Sequence, residues 1–176
     1  NYFRNEQQLD IYQLSDLAYQ VERIDMKLEG GWQDQYATTF GGFSWIEFRK
    51  SEVVVSPLLL QRNTVLELEY NLMLFRLGGS RSSSKIQKSH IRDIDKNSVK
   101  QKSFKEMIQL AVEMKESLLK GNVKQFADLL HESWVLKKEM NNGITNELVE
   151  GCYNAARDLG ALGGKLLGAG ESGYLL

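Results

Sequence analysis

An acidic residue between two amides lies in a short segment that glycines bracket on both sides. The segment reads GGWQDQYATTFGG over residues 30–42. Residues 33–40 can form a short helix, which places Asp34 in its first turn, where unpaired backbone N–H groups and the helix dipole favour an ionised carboxylate. Between Gln33 and Gln35, this acid is suited to orient a substrate hydroxyl or accept its proton. An Asp near a helix start is more often simply a cap, so both interpretations stay open.

A second glycine-rich segment lies near the end of the sequence. It reads KLLGAGESG over residues 165–173, between two apolar runs. Glycines allow a backbone to approach a ligand closely and to direct several N–H groups at one point, as phosphate-binding loops do. The spacing is that of neither a Walker A loop nor a dinucleotide fingerprint. A glycine-rich hairpin turn accounts for the pattern almost as well.

A third candidate is an arginine among hydroxyl side chains. The apolar run LMLFRL over residues 72–77 predicts a buried strand that Gly78 and Gly79 end, and Ser80 and Arg81 follow directly. A guanidinium flanked by hydroxyls can hold a phosphate or sugar oxygens with parallel hydrogen bonds. A solvated surface arginine fits the pattern equally well.

The composition argues against several classes of function. The 176 residues include 22 Lys+Arg and 23 Asp+Glu, and the resulting net charge of −1 provides no field to attract a nucleic acid or an anionic membrane. No apolar run approaches the roughly 20 residues that cross a bilayer. We therefore expect a cytoplasmic protein without nucleic-acid or membrane partners. The single Cys152 excludes a disulfide framework, and with His90 and His131 it lacks the spacing of a zinc site.

Helical periodicity predicts most of the remaining chain. Residues 10–28 predict one helix that ends at Gly30, and three further helices follow the polar residues 80–97. Their predicted apolar faces are, in chain order, Leu14, Leu17, Ala18, Val21, Ile24 and Leu28; Phe104, Ile108, Ala111, Val112 and Leu118; Phe126, Leu129, Leu130 and Trp134; and Leu148, Cys152, Ala155 and Leu159. Gly121 and Asn122 separate the second and third of these helices, and Gly160 closes the last.

Short β-branched and aromatic runs predict the strands. They are residues 43–48, residues 53–55, the run at 72–77 already described, and the start of a strand at residues 174–176. The sum is an α+β protein with a mostly antiparallel sheet covered by helices.

In this order, the segments resemble the second half of a GHMP-superfamily sugar kinase. The subgroup that they resemble most is that of the D-glycero-D-manno-heptose 7-phosphate kinases. The similarity rests on LAYQVERIDMKLEGGWQDQYATTFGGFSWIEF (17–48), GGSRSSSKI (78–86) and GALGGKLLGAGESGYLL (160–176). It implies that residues 1–62 end an N-terminal kinase domain and that residues 63–176 form a ferredoxin-like GHMP C-terminal domain.

The resemblance also implies an activity and roles for individual residues. Such kinases use Mg²⁺ and ATP to phosphorylate a sugar, here the anomeric hydroxyl of a heptose 7-phosphate. Asp34 would orient or deprotonate that hydroxyl, and Glu22 would help to hold Mg²⁺. The implied sugar contacts are Gln33, Gln35, Tyr36, Ser80 and Arg81. The implied nucleotide-phosphate contacts are Gly168, Ala169, Gly170, Glu171, Ser172 and Gly173.

Two alternatives to this function remain. The first is another sugar-1-kinase, of the fucose or galactose type. The second is a non-catalytic remnant that binds a sugar or a partner. The family's first two motifs would precede Asn1, so we expect the 176-residue chain by itself to have no useful kinase activity.

Overall fold

The computed structural model describes residues 9–28, 30–50, 52–78, 98–140, 143–167 and 173–176. The chain divides into two compact units, Asn1–Leu59 and Leu60–Leu176. Their division lies close to the boundary predicted after residue 62. That the two units belong to the two domains of a kinase stays a prediction.

The first unit begins with a helix that changes its winding. Helix α1 spans Ile11–Tyr19 and continues as a π-helical segment over Gln20–Asp25. A capping box starts it, because the Asp10 side chain accepts from the Gln13 backbone N–H at 2.9 Å and the Gln13 side chain accepts from the Asp10 N–H at 3.0 Å. The prediction that Gly30 ends this helix is wrong. Lys27, with a φ of 55°, already lies outside it in the left-handed region.

The predicted apolar face of this first helix is largely exposed. Leu14, Val21, Ile24 and Leu28 are all exposed, whereas the small polar Ser15 is fully buried. The Ser15 hydroxyl donates to the Ile11 carbonyl at 3.0 Å, which satisfies its polar group inside the unit. Periodicity therefore predicted the helix correctly and its buried face incorrectly.

A short helix and a hairpin complete the first unit. Helix α2 spans Gln33–Phe40, as predicted, and strands β1 (Ser44–Phe48) and β2 (Val53–Pro57) pair antiparallel. The register pairs Ser44 with Pro57 and Phe48 with Val53. The core of this unit consists of Tyr36, Val53 and Val55, with Phe40 and Ile46 packed against them.

The described part of the second unit contains four helices and one short strand pair. Its elements are α3 (Arg62–Asn71), β3 (Phe75–Leu77), α4 (Ser98–Leu119), α5 (Val123–Met140), α6 (Glu147–Asp158) and β4 (Gly173–Leu175). Helices α4 and α5 pack along each other, and β3 pairs antiparallel with β4. The predicted α+β class with antiparallel strands is confirmed.

The core of the second unit differs from the predicted one at several places. Its main cluster is Leu77, Trp134, Ile144, Val149, Tyr153, Leu166 and Leu175, with Cys152 packed against it. In α6 the structure buries Val149 and Tyr153, while the predicted face residues Leu148 and Leu159 are exposed. Helix α3 was not predicted, and the predicted strand at 72–77 is reduced to its last three residues.

One glycine of this unit lies where no side chain fits. A Cβ on Gly163 would lie 1.9 Å from the Ala127 carbonyl oxygen of α5, whereas a Cβ on Gly151 in α6 would have no neighbour within 4 Å. We expect Gly163→Ala to lower the free energy of unfolding by about 1–3 kcal/mol, because the backbone at residue 163 and helix α5 must move apart. Gly151→Ala should raise it by about 0.5–1 kcal/mol. Urea unfolding measures both, and equal stability of the two variants would contradict the packing.

Candidate active site

Two of the predicted acids meet an arginine in the first unit. Asp34 lies in the first turn of α2, and Glu22 lies in the π-helical segment. Arg23 is close to both, with Nη2 3.6 Å from Asp34 Oδ2 and Nη1 3.4 Å from Glu22 Oε1. The Arg23 side chain is only 10% exposed, whereas that of Asp34 is 77% exposed. One buried guanidinium thus lies between an accessible carboxylate and a half-buried one.

The geometry of α2 bears on whether Asp34 is a helix cap. The N-cap residue is Trp32, which makes no side-chain capping bond, and Asp34 lies two positions further into the helix. In the first turn the helix dipole still favours its negative charge. Its carboxylate nevertheless points where solvent reaches it, beside Arg23. This position suits contact with a ligand hydroxyl, and the catalytic role of Asp34 stays a prediction.

The two glutamines beside Asp34 are placed differently. Gln33 is exposed, whereas Gln35 is 4% exposed and its amide Nε2 donates to Glu22 Oε2. The Gln35 Oε1 atom is buried and has no hydrogen-bond partner among the described residues. Buried polar atoms are almost always paired, because leaving one unpaired costs about 1–3 kcal/mol. Gln35 therefore orients Glu22 and offers a free acceptor next to it.

Tyr36 is part of the core of the unit. Its ring stacks between Trp32 and Phe40, at centroid distances of 6.3 and 6.2 Å, and its hydroxyl donates to Asp16 Oδ1 at 2.5 Å. Burial, together with the hydrogen bond to Asp16, raises the pKa of Tyr36 above its ordinary value. The predicted sugar contact through Tyr36 stays untested, and its hydroxyl is already engaged in this arrangement.

The acids offer oxygen ligands of the kind that Mg²⁺ prefers. Mg²⁺ is commonly held by one or two carboxylates, with phosphate oxygens and water completing the octahedron. Glu22 supplies a half-buried carboxylate, but one of its oxygens accepts from Gln35 and the other faces Arg23, so a cation would have to share the group with these donors. Within the described ranges no cluster of three or more His, Cys, Asp or Glu side chains could hold a metal by itself. A cation at Glu22 would therefore depend on ligands from a bound phosphate.

The remaining predicted site residues lie mostly outside the described residues. This applies to Ser80 and Arg81, and to positions 168–172 of the predicted nucleotide loop. Gly173 is described: it begins β4 with a φ of 122°, and a Cβ there would lie 3.3 Å from the Leu167 carbonyl oxygen. Its predicted role at nucleotide phosphates stays a prediction.

Arg23 is the site residue that sequence reasoning missed. A continuous α-helix does not bring consecutive side chains together, so periodicity gives no reason to pair Glu22 with Arg23. The sequence signal that could have found it is an arginine directly after Glu22 and a few residues before Gly30 and Gly31.

In the part of the chain that the structure describes, no helix has both the length and the apolar character to span a membrane.

Comparison with known proteins identifies a protein family that matches part of this chain. Residues 114–176 match the family model described as the GHMP kinases C terminal. These residues form a GHMP kinase C-terminal domain, and the resemblance seen in the sequence is confirmed.

Three known proteins are similar to this chain over most of its length. The chain is 35% identical over 166 residues to D-glycero-alpha-D-manno-heptose 7-phosphate kinase of Campylobacter jejuni, covering 93% of this chain and 48% of that protein. It is 29% identical over 170 residues to the bifunctional fucokinase/GDP-fucose pyrophosphorylase of Arabidopsis thaliana, covering 93% of this chain and 16% of that one. A solved D-glycero-D-manno-heptose 1-phosphate kinase from Bacteroides thetaiotaomicron superposes with a TM-score of 0.65 at 33% identity, covering 96% of this chain and 44% of that one. The chain thus spans half or less of the length of these relatives.

Proposed function

We propose that this protein is part of an ATP-dependent sugar kinase whose acceptor is D-glycero-D-manno-heptose 7-phosphate. The product would be the 1,7-bisphosphate, formed by transfer of the γ-phosphoryl group to the anomeric hydroxyl. The observation that carries the proposal is the exposed Asp34 carboxylate, held beside Arg23 and Glu22 at the start of α2. The acceptor follows from the similarity to the Campylobacter heptose 7-phosphate kinase.

In this proposal Asp34 positions the acceptor hydroxyl and takes up its proton as the new P–O bond forms. Phosphoryl transfer depends mainly on in-line positioning and on neutralising the charge of the phosphates, with little covalent chemistry by the protein. An exposed, ionised acid in a first helical turn meets the first need. The exposed Gln33 would add a hydrogen bond to a sugar hydroxyl, and the buried Gln35 would hold Glu22 in place beside the site.

The phosphate side of the reaction would be served by other residues. Glu22 would hold Mg²⁺, and that ion supplies charge neutralisation at the phosphate oxygens when it is bound. Residues 168–173 would contact the nucleotide phosphates, and Arg81 with Ser80 would contact the distal phosphate of the sugar. These roles rest on the family resemblance.

A sugar-1-kinase of the fucose or galactose type is the second candidate. The similarity to the Arabidopsis fucokinase, which covers the same 93% of this chain, favours it. Both candidates use the same acid in the same role, so they differ only in the acceptor. A remnant that binds a sugar without catalysis is the third candidate.

A substrate panel separates these functions. We expect the polypeptide encoded by the complete reading frame to release ADP at least 10-fold faster, in kcat/KM, with D-glycero-D-manno-heptose 7-phosphate than with heptose, fucose or galactose. A tenfold ratio corresponds to about 1.4 kcal/mol of transition-state binding, which one well-placed phosphate contact can supply. The phosphorus NMR spectrum of the product should show an anomeric phosphate. Preference for fucose or galactose would move the assignment to the second candidate, and no turnover with any sugar would favour the third.

A further inference from the structure

We propose that Arg23 is a positioning residue for phosphoryl transfer, because its guanidinium attracts the Asp34 carboxylate and keeps it near Glu22. The inference rests on the proposed function, in which Asp34 contacts the acceptor hydroxyl. Arg23 itself would touch neither the sugar nor ATP. It would act through Asp34.

The contacts of the guanidinium support this role. Nε donates to the Gly31 carbonyl oxygen at 3.3 Å, Nη1 faces Glu22 at 3.4 Å, and Nη2 faces Asp34 at 3.6 Å. A guanidinium is planar and presents its donors in a fixed fork, so three contacts define its orientation. The backbone contact anchors the group, and the two remaining nitrogens set the separation of the acids.

The distances leave Asp34 available to a substrate. Charge-assisted N–H···O bonds are normally about 2.7–2.9 Å long, whereas Nη2 lies 3.6 Å from Asp34 Oδ2. The attraction is therefore mainly electrostatic, and the carboxylate keeps its capacity to accept a hydrogen bond from a hydroxyl. The positive charge also offsets the repulsion between Asp34 and Glu22, which a shared site would otherwise impose.

The local backbone is shaped around the guanidinium. A Cβ on Gly30 would lie 2.4 Å from Arg23 Cζ, so the absence of a side chain at residue 30 is what admits the group. Arg23 itself lies in the π-helical segment Gln20–Asp25, directly after Glu22. The glycine is thus the backbone feature that makes room for this side chain.

The first test removes the guanidinium. We expect Arg23→Met to lower kcat by about 10–100-fold and to leave the KM values for sugar and ATP within about threefold, because small misplacement of a reacting group costs up to about 100-fold in rate. Millimolar guanidinium ion should restore part of kcat. Arg49→Met is the matched control, since Arg49 also bridges two acids of this unit, Glu47 and Glu52, at 2.9 Å each. An unchanged kcat, or a loss confined to KM, would overturn the proposal.

The second test keeps Arg23 and moves it. In Gly30→Ala the added methyl group must displace the guanidinium, so we expect the same loss of kcat with unchanged KM. If Arg23→Met does not fold, as judged by circular dichroism, Arg23→Lys replaces it. This variant keeps the charge without the fork, and we expect a partial loss of kcat. Wild-type kcat in Gly30→Ala or in Arg23→Lys would contradict the role of the fork.

A readout independent of activity separates this inference from the proposed function. The Arg23 Nε–H, bonded to the Gly31 carbonyl, should give its own signal in a proton–nitrogen NMR spectrum. We expect Asp34→Asn to shift this signal and Gly30→Ala to abolish it. If the wild-type protein had no kinase activity, the proposed function would be refuted. The spectrum would still test the contacts of Arg23 with Gly31 and Asp34. A signal that neither variant changes would overturn the inference.

Discussion

Replacing Asp34 by Asn is expected to lower kcat for sugar phosphorylation by about 100- to 10,000-fold while ATP binding stays nearly unchanged. General acid–base catalysis by a positioned side chain typically contributes a factor of this size. The substitution keeps the shape of the side chain and removes its ability to take up a proton. Steady-state kinetics with the preferred sugar, and calorimetric titration with ATP, measure the two quantities.

The structure indicates that this variant will fold. The Asp34 side chain is 77% exposed, and in its absence the Arg23 guanidinium keeps its contacts with Glu22 and with the Gly31 carbonyl. Asp25→Asn provides the matched control, because Asp25 lies in the same unit and its carboxylate accepts from the exposed Gln20 amide at 3.2 Å. We expect its kcat to stay within about twofold of wild type. Full activity of Asp34→Asn would assign Asp34 to stabilising the start of α2.

The location of Asp34 could be predicted because it depends on local chemistry. Glycines on both sides of residues 33–40 delimit a single short helix, and the acid at the second position must then lie in its first turn. Strands β1 and β2 were predictable for the same reason, since aromatic and β-branched runs favour strands wherever they occur. Such features need no knowledge of the rest of the fold.

The buried faces of the helices could not be predicted in the same way. In α6, Leu148 and Leu159 lie at helical spacing, yet the tertiary contacts of Trp134 and Leu166 bury Val149 and Tyr153 instead. Hydrophobicity identifies which side chains gain from burial, but packing decides which of them achieve it. The same limit applies to Arg23, because its contacts with Gly31 and Asp34 join residues of different elements and not of one helical period.

Trp134 is expected to make the largest single side-chain contribution to the stability of the second unit. It is 1% exposed, its ring lies 6.3 Å from that of Tyr153, and Lys138 Nζ lies 5.8 Å from its centroid. Truncating a fully buried tryptophan leaves a large cavity beside Val149. We therefore expect Trp134→Ala to lower the free energy of unfolding by about 3–5 kcal/mol, measured by urea denaturation.

Trp134→Phe separates the contribution of the ring from that of the indole N–H. The buried Nε1 has no hydrogen-bond partner in the described part of the chain, and an unpaired buried donor costs about 1–3 kcal/mol. Phenylalanine removes this cost while retaining most of the aromatic contact with Tyr153. The loss of stability in Trp134→Phe should thus be less than half of that in Trp134→Ala. If the two variants lost the same free energy of unfolding, the indole N–H would have a hydrogen-bond partner. The loss of that bond would then cost more stability than the loss of the ring packing.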